Sequence, residues 1–241
     1  MSGKARVGND LTRALRRLRP DPEELSVRAQ LLLLAKEPLP GRTKTRLSPA
    51  LPPEQAAAIA RAALLDTCTA LAEVAVARRT VVLSGSPDGW LPEGFAVLPQ
   101  RDGDLGARLA GAFADAYTAL PLPMLLLGMD TPQVTPALIR GALDALLSPG
   151  TDAVLGPAED GGWWALGLHA PADGLFDGVP MSTDRAGAAQ LARLDSLGLT
   201  TTTLGRQRDI DRIEDVAAVA LLQPSGARLA ALAAELGLVG A

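Results

Sequence analysis

LLLLAKEPLPGRTKTRL, residues 31–47, decides how the chain must be read. Leu31 to Leu34 show no polar alternation, so residues 29–35 are predicted to form a strand buried on both faces. A strand of that kind belongs to a parallel sheet covered by helices on either side. The apolar run ends at Ala35, and a Pro/Gly loop follows with Lys36, Arg42, Lys44 and Arg46 against one acid, Glu37. The loop carries a local charge of +3 in a chain of net charge −4, and two of the chain's three lysines lie in it. A basic loop at the carboxyl end of a first strand is where an open α/β sheet binds phosphate. Lysine offers a point charge and arginine a bidentate fork, and Gly41 lets the backbone approach a ligand. The Walker pattern is absent. The plain alternative is a solvated basic turn.

Working outward, strand and helix signals alternate. Pro53-Glu54 opens a helix to about Val76, with Pro in the first turn and an acid beside it. Residues 80–83 and 95–98 read as short strands. Asp104 is placed to cap a helix running to about Leu120. Residues 124–127 form a second strongly apolar strand, and Thr135-Pro136 starts a helix to about Leu147. Strands at 153–155 and 163–168, a helix from Thr183-Asp184 to about Leu197, a strand at 200–204 and two alanine-rich helices complete the pattern. This is an α/β sandwich with a mostly parallel sheet. Residues 1–28 read as a separate arm or short surface helix, with Leu11, Leu15 and Leu18 at helical spacing, and residues 29–241 as one domain.

Composition narrows the chemistry. There is one cysteine, Cys68, in an apolar helical pattern, and one histidine, His169, assigned to structure or surface. An intrachain disulfide and a histidine-cluster zinc site are therefore excluded, any divalent metal must be held mostly by carboxylates, and His169 has no nucleophile motif near it with which to build a Ser/His/Asp triad. No apolar run reaches the ~20 residues of a membrane span. With no secretory segment recognised, a cytoplasmic location is expected. The mildly acidic balance argues against a nucleic-acid surface.

Several polar loops then qualify as parts of a site. Asp130 directly follows the apolar strand, where open sheets place active-site carboxylates, and is suited to Mg²⁺ or Mn²⁺; its alternative is a turn before Pro132. Asp209 and Asp211, two apart on an extended segment, point the same way and could complete that metal site, or could cap the helix near Ile213. Gln100, Gly103 and Asp104 form a second polar loop. Glu159, Asp160, Gly161 and Gly162 suit a substrate-facing loop or a hairpin turn. Trp163 and Trp164 could stack on a sugar or base, although one of two adjacent strand residues faces the core. Ser182, Thr183 and Asp184 read first as a helix cap and second as substrate contacts.

Taken together, AKEPLPGRTKTRL, QRDGDLGARL, LLLGMDTPQVTPALI, GPAEDGGWWALGL and RDIDRIEDV resemble, across about residues 29–220 and in the same order, the bacterial radical-SAM/selenodomain-associated transferases. These are glycosyltransferase-A-like proteins, some assigned to arsenosugar biosynthesis. The layout is also similar to phospholactate and phosphoenolpyruvate guanylyltransferases and to molybdenum-cofactor guanylyltransferases. The resemblance implies a nucleotide-diphospho-sugar transferase fold with a Rossmann-like sheet. It implies nucleotide phosphates on Lys36, Arg42, Lys44 and Arg46; Gly41 in that loop and Gln100, Gly103 and Asp104 in the second polar loop are read as further nucleotide-binding candidates. It implies metal on Asp130, with Asp209 and Asp211 completing the site.

The expected activity is a metal-dependent, nucleotide-using transferase, foremost a glycosyltransferase acting on a small-molecule acceptor. Lys44 and Asp130 would stabilise the departing diphosphate. Asp160 or Glu159 would be the base, and the acceptor would lie near Gly161, Gly162 and Trp163. Two features point instead to nucleotidyl transfer from a triphosphate with pyrophosphate release: Pro132 stands where an Asp-x-Asp pair would have its second Asp, and the first loop is more basic than a diphosphate sugar needs. A third class is a non-catalytic nucleotide-binding protein.

Overall fold

A computed structural model describes residues 27–48 and 50–239. Most of the expected arm, including Leu11, Leu15 and Leu18, lies outside the described residues. Among the described residues seven strands form one sheet: β1 (Val27–Lys36), β2 (Val76–Ser84), β3 (Ala96–Pro99), β4 (Met124–Gly128), β5 (Ala153–Pro157), β6 (Trp163–Leu168) and β7 (Thr201–Thr203). Their order is β3-β2-β1-β4-β6-β5-β7. Every adjacent pair is parallel except those made by β6, which runs antiparallel to both β4 and β5. The exception has a local cause. A tight turn joins β5 to β6, with Gly161 N–H donating to Ala158 O at 3.3 Å and Ala158 N–H to Gly162 O at 3.0 Å, and so short a connection can only reverse the chain.

Among the described residues there are six α-helices: α1 (Pro53–Ala72), α2 (Leu105–Ala119), α3 (Pro136–Leu146) and α4 (Ala186–Ser196), which flank the sheet, and α5 (Ile213–Ala220) and α6 (Arg228–Glu235), which pack against α1. Leu31 and Leu33 of β1 pack with Leu64, Leu71 and Cys68 of α1 and with Ile139 and Leu143 of α3. Leu32 faces the other way, onto Leu109 and Phe113 of α2. The unbroken leucine run is thus explained by burial on both faces, each leucine contributing about 1.5–3 kcal/mol. Burial also pushes the Cys68 thiol up to about 12, against a weaker opposing pull from Arg228. His169 is structural: its Nε2 lies 2.8 Å from Leu146 O and 3.1 Å from Thr151 O.

A third cluster fixes the future site. Leu47, just past the basic loop, and Ile210, between Asp209 and Asp211, are both buried with Ile59 of α1, Val216 and Val219 of α5 and Leu229 of α6. This small core holds two segments more than 160 residues apart against one another. Asp66, buried on α1, strengthens it by accepting from the backbone N–H of Arg228 and Leu229 at 3.0 and 2.9 Å, which caps α6 from outside.

Two element boundaries differ from expectation. α1 ends at Ala72, not near Val76, because β2 begins at Val76 to pair with the whole length of β1. Ser182-Thr183-Asp184 does not cap α4, whose N-cap is Arg185. Thr183 Oγ1 instead donates to Pro180 O at 2.8 Å and accepts from Arg185 N–H, closing a turn ahead of the helix. Elsewhere the caps are as read: Asp104 accepts from Ala107 N–H and Thr135 from Leu138 N–H. Among the described residues no helix is long and apolar enough to cross a membrane.

Candidate active site

The carboxyl ends of β1 and β4 open into a cleft of about 660 Å³, within the range of small-ligand sites. The basic loop forms one side. Pro and Gly turn it sharply: Gly41 has φ +70°, and Arg42 and Thr43 N–H both donate to Leu39 O. Glu37, the loop's one acid, faces away and accepts from Ser86 N–H at 2.9 Å. Lys36, Arg42, Lys44 and Arg46 all line the cleft. Lys44 adopts a left-handed backbone, φ 50°, which costs a non-glycine residue on the order of 1–2 kcal/mol. Its side chain is 8% exposed, and its ammonium meets Asp130 Oδ1 at 2.6 Å and donates to Ile210 O. Ser182 has φ 60° and lines the same cleft. Left-handed non-glycine backbone thus occurs at two points of one cavity, an arrangement that clusters at functional sites.

The segment 205–212 crosses the ends of β4 and β5. Ile210 N–H donates to Asp130 O at 2.8 Å, Gln207 N–H to Pro157 O at 3.1 Å, and Gln133 Nε2 to Arg208 O at 2.7 Å. Asp209 and Asp211 therefore reach the cleft beside Asp130, as the i, i+2 spacing predicts. Neither caps α5. That role falls to Asp215, which accepts from Asp211 and Arg212 N–H at 3.1 and 2.8 Å. Arg46 Nη1 binds Asp211 Oδ2 at 2.8 Å.

Asp209 is the electrostatic centre. Its Oδ1 is shut off from solvent and has no hydrogen-bond partner. Burial pushes its carboxyl up to about 7; the neighbouring Asp130 and Asp160 carboxylates add to the rise, Lys44 opposes it, and Asp211 adds least. Thr131 Oγ1, on the same wall, is also buried without a partner. Mutually repelling carboxylates around orphaned oxygens have the donor chemistry of a Mg²⁺ or Mn²⁺ site. Among the described residues, however, no three Asp, Glu, His or Cys side chains converge at ligand spacing. The trio Asp130, Asp209 and Asp211 is brought together, but Lys44 and Arg46 hold two of its members.

The opposite wall comes from the β5–β6 turn and the segment before α4. Asp160 lines the cleft, its Oδ1 accepting from Gly162 N–H at 2.8 Å. Gly161 has no room for a side chain: an added Cβ would lie 2.0 Å from Asp184 O. Trp163 and Trp164 both border the cleft; Trp163 is half-buried, whereas the Trp164 side chain packs into the core on the other face, 1% exposed, its Nε1 donating to Gly205 O at 3.0 Å. Glu159 lies outside the cleft, bound to Arg208 at 2.7 Å. Gly41, Gly103 and Asp104 also lie outside its lining. Gln100 lines it, but its amide is engaged by protein groups. Ser182, Thr183 and Asp184 line it, as their second reading expects, and Arg108, Thr131 and Arg212 line it without a sequence-based expectation. A second cavity, about 720 Å³, lies between α2 and residues 171–181. Its wall on α2 is mostly small residues; of its charged lining residues, Arg101 is tied to Asp115 and Asp104 caps α2, while Asp173 and Asp177 come from the facing loop.

This sheet order, with a nucleotide-sized cleft at the carboxyl ends of β1 and β4, defines a nucleotide-diphospho-sugar transferase fold. Residues 58–183, just over half the chain, match the family described as "Uncharacterized protein conserved in bacteria (DUF2064)", and the chain belongs to that family. The matched segment contains Arg108, Asp130, Asp160 and Trp163, and excludes the basic loop and the late aspartates. Among solved structures, a protein from Desulfovibrio desulfuricans G20, provisionally assigned as a nucleotide-diphospho-sugar transferase, is 25% identical with TM-score 0.79, over 87% of this chain and 96% of that one. A cytidylyltransferase from Leptospira borgpetersenii shares the fold at 14% identity and TM-score 0.54, over 88% and 95% of the two chains. No curated protein matches the sequence.

Proposed function

We propose that the protein is a glycosyltransferase that moves a sugar from a nucleoside-diphosphate donor to a small, uncharged acceptor. What carries this reading is the division of the cleft into a cationic donor wall, Lys36 to Arg46, and an acidic, aromatic acceptor wall, Asp160, Trp163 and Asp184. A phosphorylated acid would meet two carboxylates on that second wall, whereas a neutral hydroxyl compound can stack on the tryptophan and hydrogen-bond to the acids. The excess of positive charge that suggested a triphosphate is smaller than the sequence implies, because Lys44 and Arg46 face Asp130 and Asp211.

Lys36 and Arg42 hold the donor diphosphate, joined by Lys44 and Arg46 as the phosphates draw them from their carboxylates. Asp160, oriented by Gly162 N–H, accepts the acceptor hydroxyl proton as that oxygen bonds to the anomeric carbon and the bond to the diphosphate breaks. Glu159, held by Arg208 outside the cleft, is not the base. Asp130, Asp209 and Asp211 would hold Mg²⁺ or Mn²⁺, which when bound neutralises these carboxylates and the charge developing on the leaving diphosphate. Arsenosugar-type acceptors, narrower than this class, are one instance of it. Residues 29–241 act as one unit, in the cytoplasm.

The test is calorimetric titration with UDP- and GDP-sugars in Mn²⁺, followed by product analysis with neutral and phosphorylated acceptors. Nucleoside diphosphate release onto a neutral acceptor is expected. Pyrophosphate release from a triphosphate would establish nucleotidyl transfer, the second reading, which the absence of an Asp-x-Asp pair at Pro132 favours. Tight nucleotide binding without turnover of any acceptor would favour a non-catalytic role.

A further inference from the structure

Arg108 is a half-buried arginine with no carboxylate partner among the described residues. Its Nη1 donates to Gln100 Oε1 at 3.1 Å and its Nε to Asp104 O at 3.3 Å. Gln100 is itself clamped: its Nε2 donates to Ala35 O at 2.8 Å and Val82 O at 3.0 Å. Two carbonyls around one amide atom require that atom to be nitrogen, so the oxygen must be the one presented to Arg108. The ends of β1 and β2 thus hold Gln100, Gln100 holds the guanidinium, and the cation is fixed in place without being neutralised. A glutamate at position 100 would have cancelled the charge.

Arg108 lines the cleft together with the half-buried Leu34 of β1 and Leu105 of α2, which are backed by the buried Leu109 and Leu126. Phosphates need no such apolar company, and the basic loop already provides for them. A flat heterocycle does need it: apolar contact for its faces and polar groups at its edge. Arginine has only donors, so the edge it reads must present acceptors side by side. Guanine does so with O6 and N7, and cytosine with O2 and N3. Adenine places its N6 amino donor next to N7.

We propose that Arg108 is the base-reading residue of the nucleotide site, selecting a guanine or cytosine nucleotide over an adenine one, and that Gln100 is its positioning residue. This rests on the nucleotide-using reading above. The experiment is calorimetric titration of wild type, Arg108→Met, Arg108→Lys and Gln100→Leu with GDP, CDP, ADP and inorganic pyrophosphate. For wild type, GDP or CDP is expected to bind at least about tenfold more tightly than ADP. Arg108→Met should bring that preference within about threefold and leave pyrophosphate binding within about twofold. Arg108→Lys, which keeps the charge but not the planar fork, should lose the preference too. Gln100→Leu should lose part of it. If Arg108→Met weakens ADP and pyrophosphate as much as GDP, or Arg108→Lys behaves as wild type, the residue is a phosphate contact and the proposal is overturned. A wild type that binds all three diphosphates alike overturns it while sparing the proposed function; one that binds no nucleotide and no pyrophosphate overturns both.

Discussion

Asp209→Asn should make the protein more stable, and by an amount that depends on pH. A carboxyl moved from 3.8 to about 7 on folding binds its proton more tightly in the folded state than in the unfolded one. Its favourable contribution is therefore fully present below about pH 4 and is lost as pH rises towards 7. Integrated over the shift, the Asp209 carboxyl costs about 2 kcal/mol at pH 5, where it must take up a proton on folding, and about 4 kcal/mol at pH 8, where it is buried ionised, relative to a side chain that never ionises. Asparagine keeps the shape, and its amide gives Asp130 or Asp160 a donor in place of a like charge. Scanning calorimetry with EDTA at pH 5 and pH 8 reads the effect directly. The melting temperature of Asp209→Asn should exceed that of wild type by on the order of 10 °C at pH 8, and by roughly half that at pH 5. An equal gain at both pH values would show that packing, not charge, is responsible. No gain at pH 8 would refute the reasoning that Asp130, Asp160 and burial act together on this group.

Lys44→Met should weaken pyrophosphate binding at least tenfold yet tighten Mn²⁺ binding without nucleotide, because Asp130 loses its resident ammonium; titration of each ligand separately checks both halves. Asp66→Ala should cost about 2–4 kcal/mol in urea unfolding, since two backbone N–H groups of α6 and the Arg228 guanidinium lose a buried acceptor. Gly161→Ala should reduce acceptor turnover more than nucleotide affinity, because its Cβ would drive the β5–β6 turn from Asp184 while leaving the basic loop in place; steady-state kinetics alongside donor titration separates the two. Cys68, fully buried with its thiol pushed up to about 12, should not react with a thiol reagent at pH 8 until urea unfolds the chain.

The fold was legible because its signals are local. Leucine runs without alternation predict strands buried on both faces, and Asp104 and Thr135 mark helix starts with their own side chains. Where a partner elsewhere decides the outcome, legibility fails. The extension of β2 back to Val76 follows from the length of β1. The cap of α6 is Asp66, 162 residues away from Arg228 in sequence. The reversal into β6 is set by the tight β5–β6 turn, but the placement of β6 between β4 and β5 is a property of sheet order, which no short stretch encodes.

The candidate site shows the same division in its charges. Counting four cations in one loop treats each as available to a ligand, but the partners of Lys44 and Arg46 arrive from Ile210 and Asp211, 166 and 165 residues on. The loop's capacity for phosphate is therefore conditional: two cations stand ready, and two must exchange a carboxylate for a phosphate. That exchange is favourable only if the carboxylates left behind gain another cation, so donor and divalent ion should bind with positive linkage. Arg108, by contrast, had a local signal. Leu105, Arg108 and Leu109 stand at i, i+3 and i+4 on α2, one face of a helix, and all three line the cleft. Gln100, Gly103 and Asp104 form the polar loop, yet helix periodicity places a cleft-lining cation one turn later, where Gln100 holds it and no acid among the described residues pairs with it.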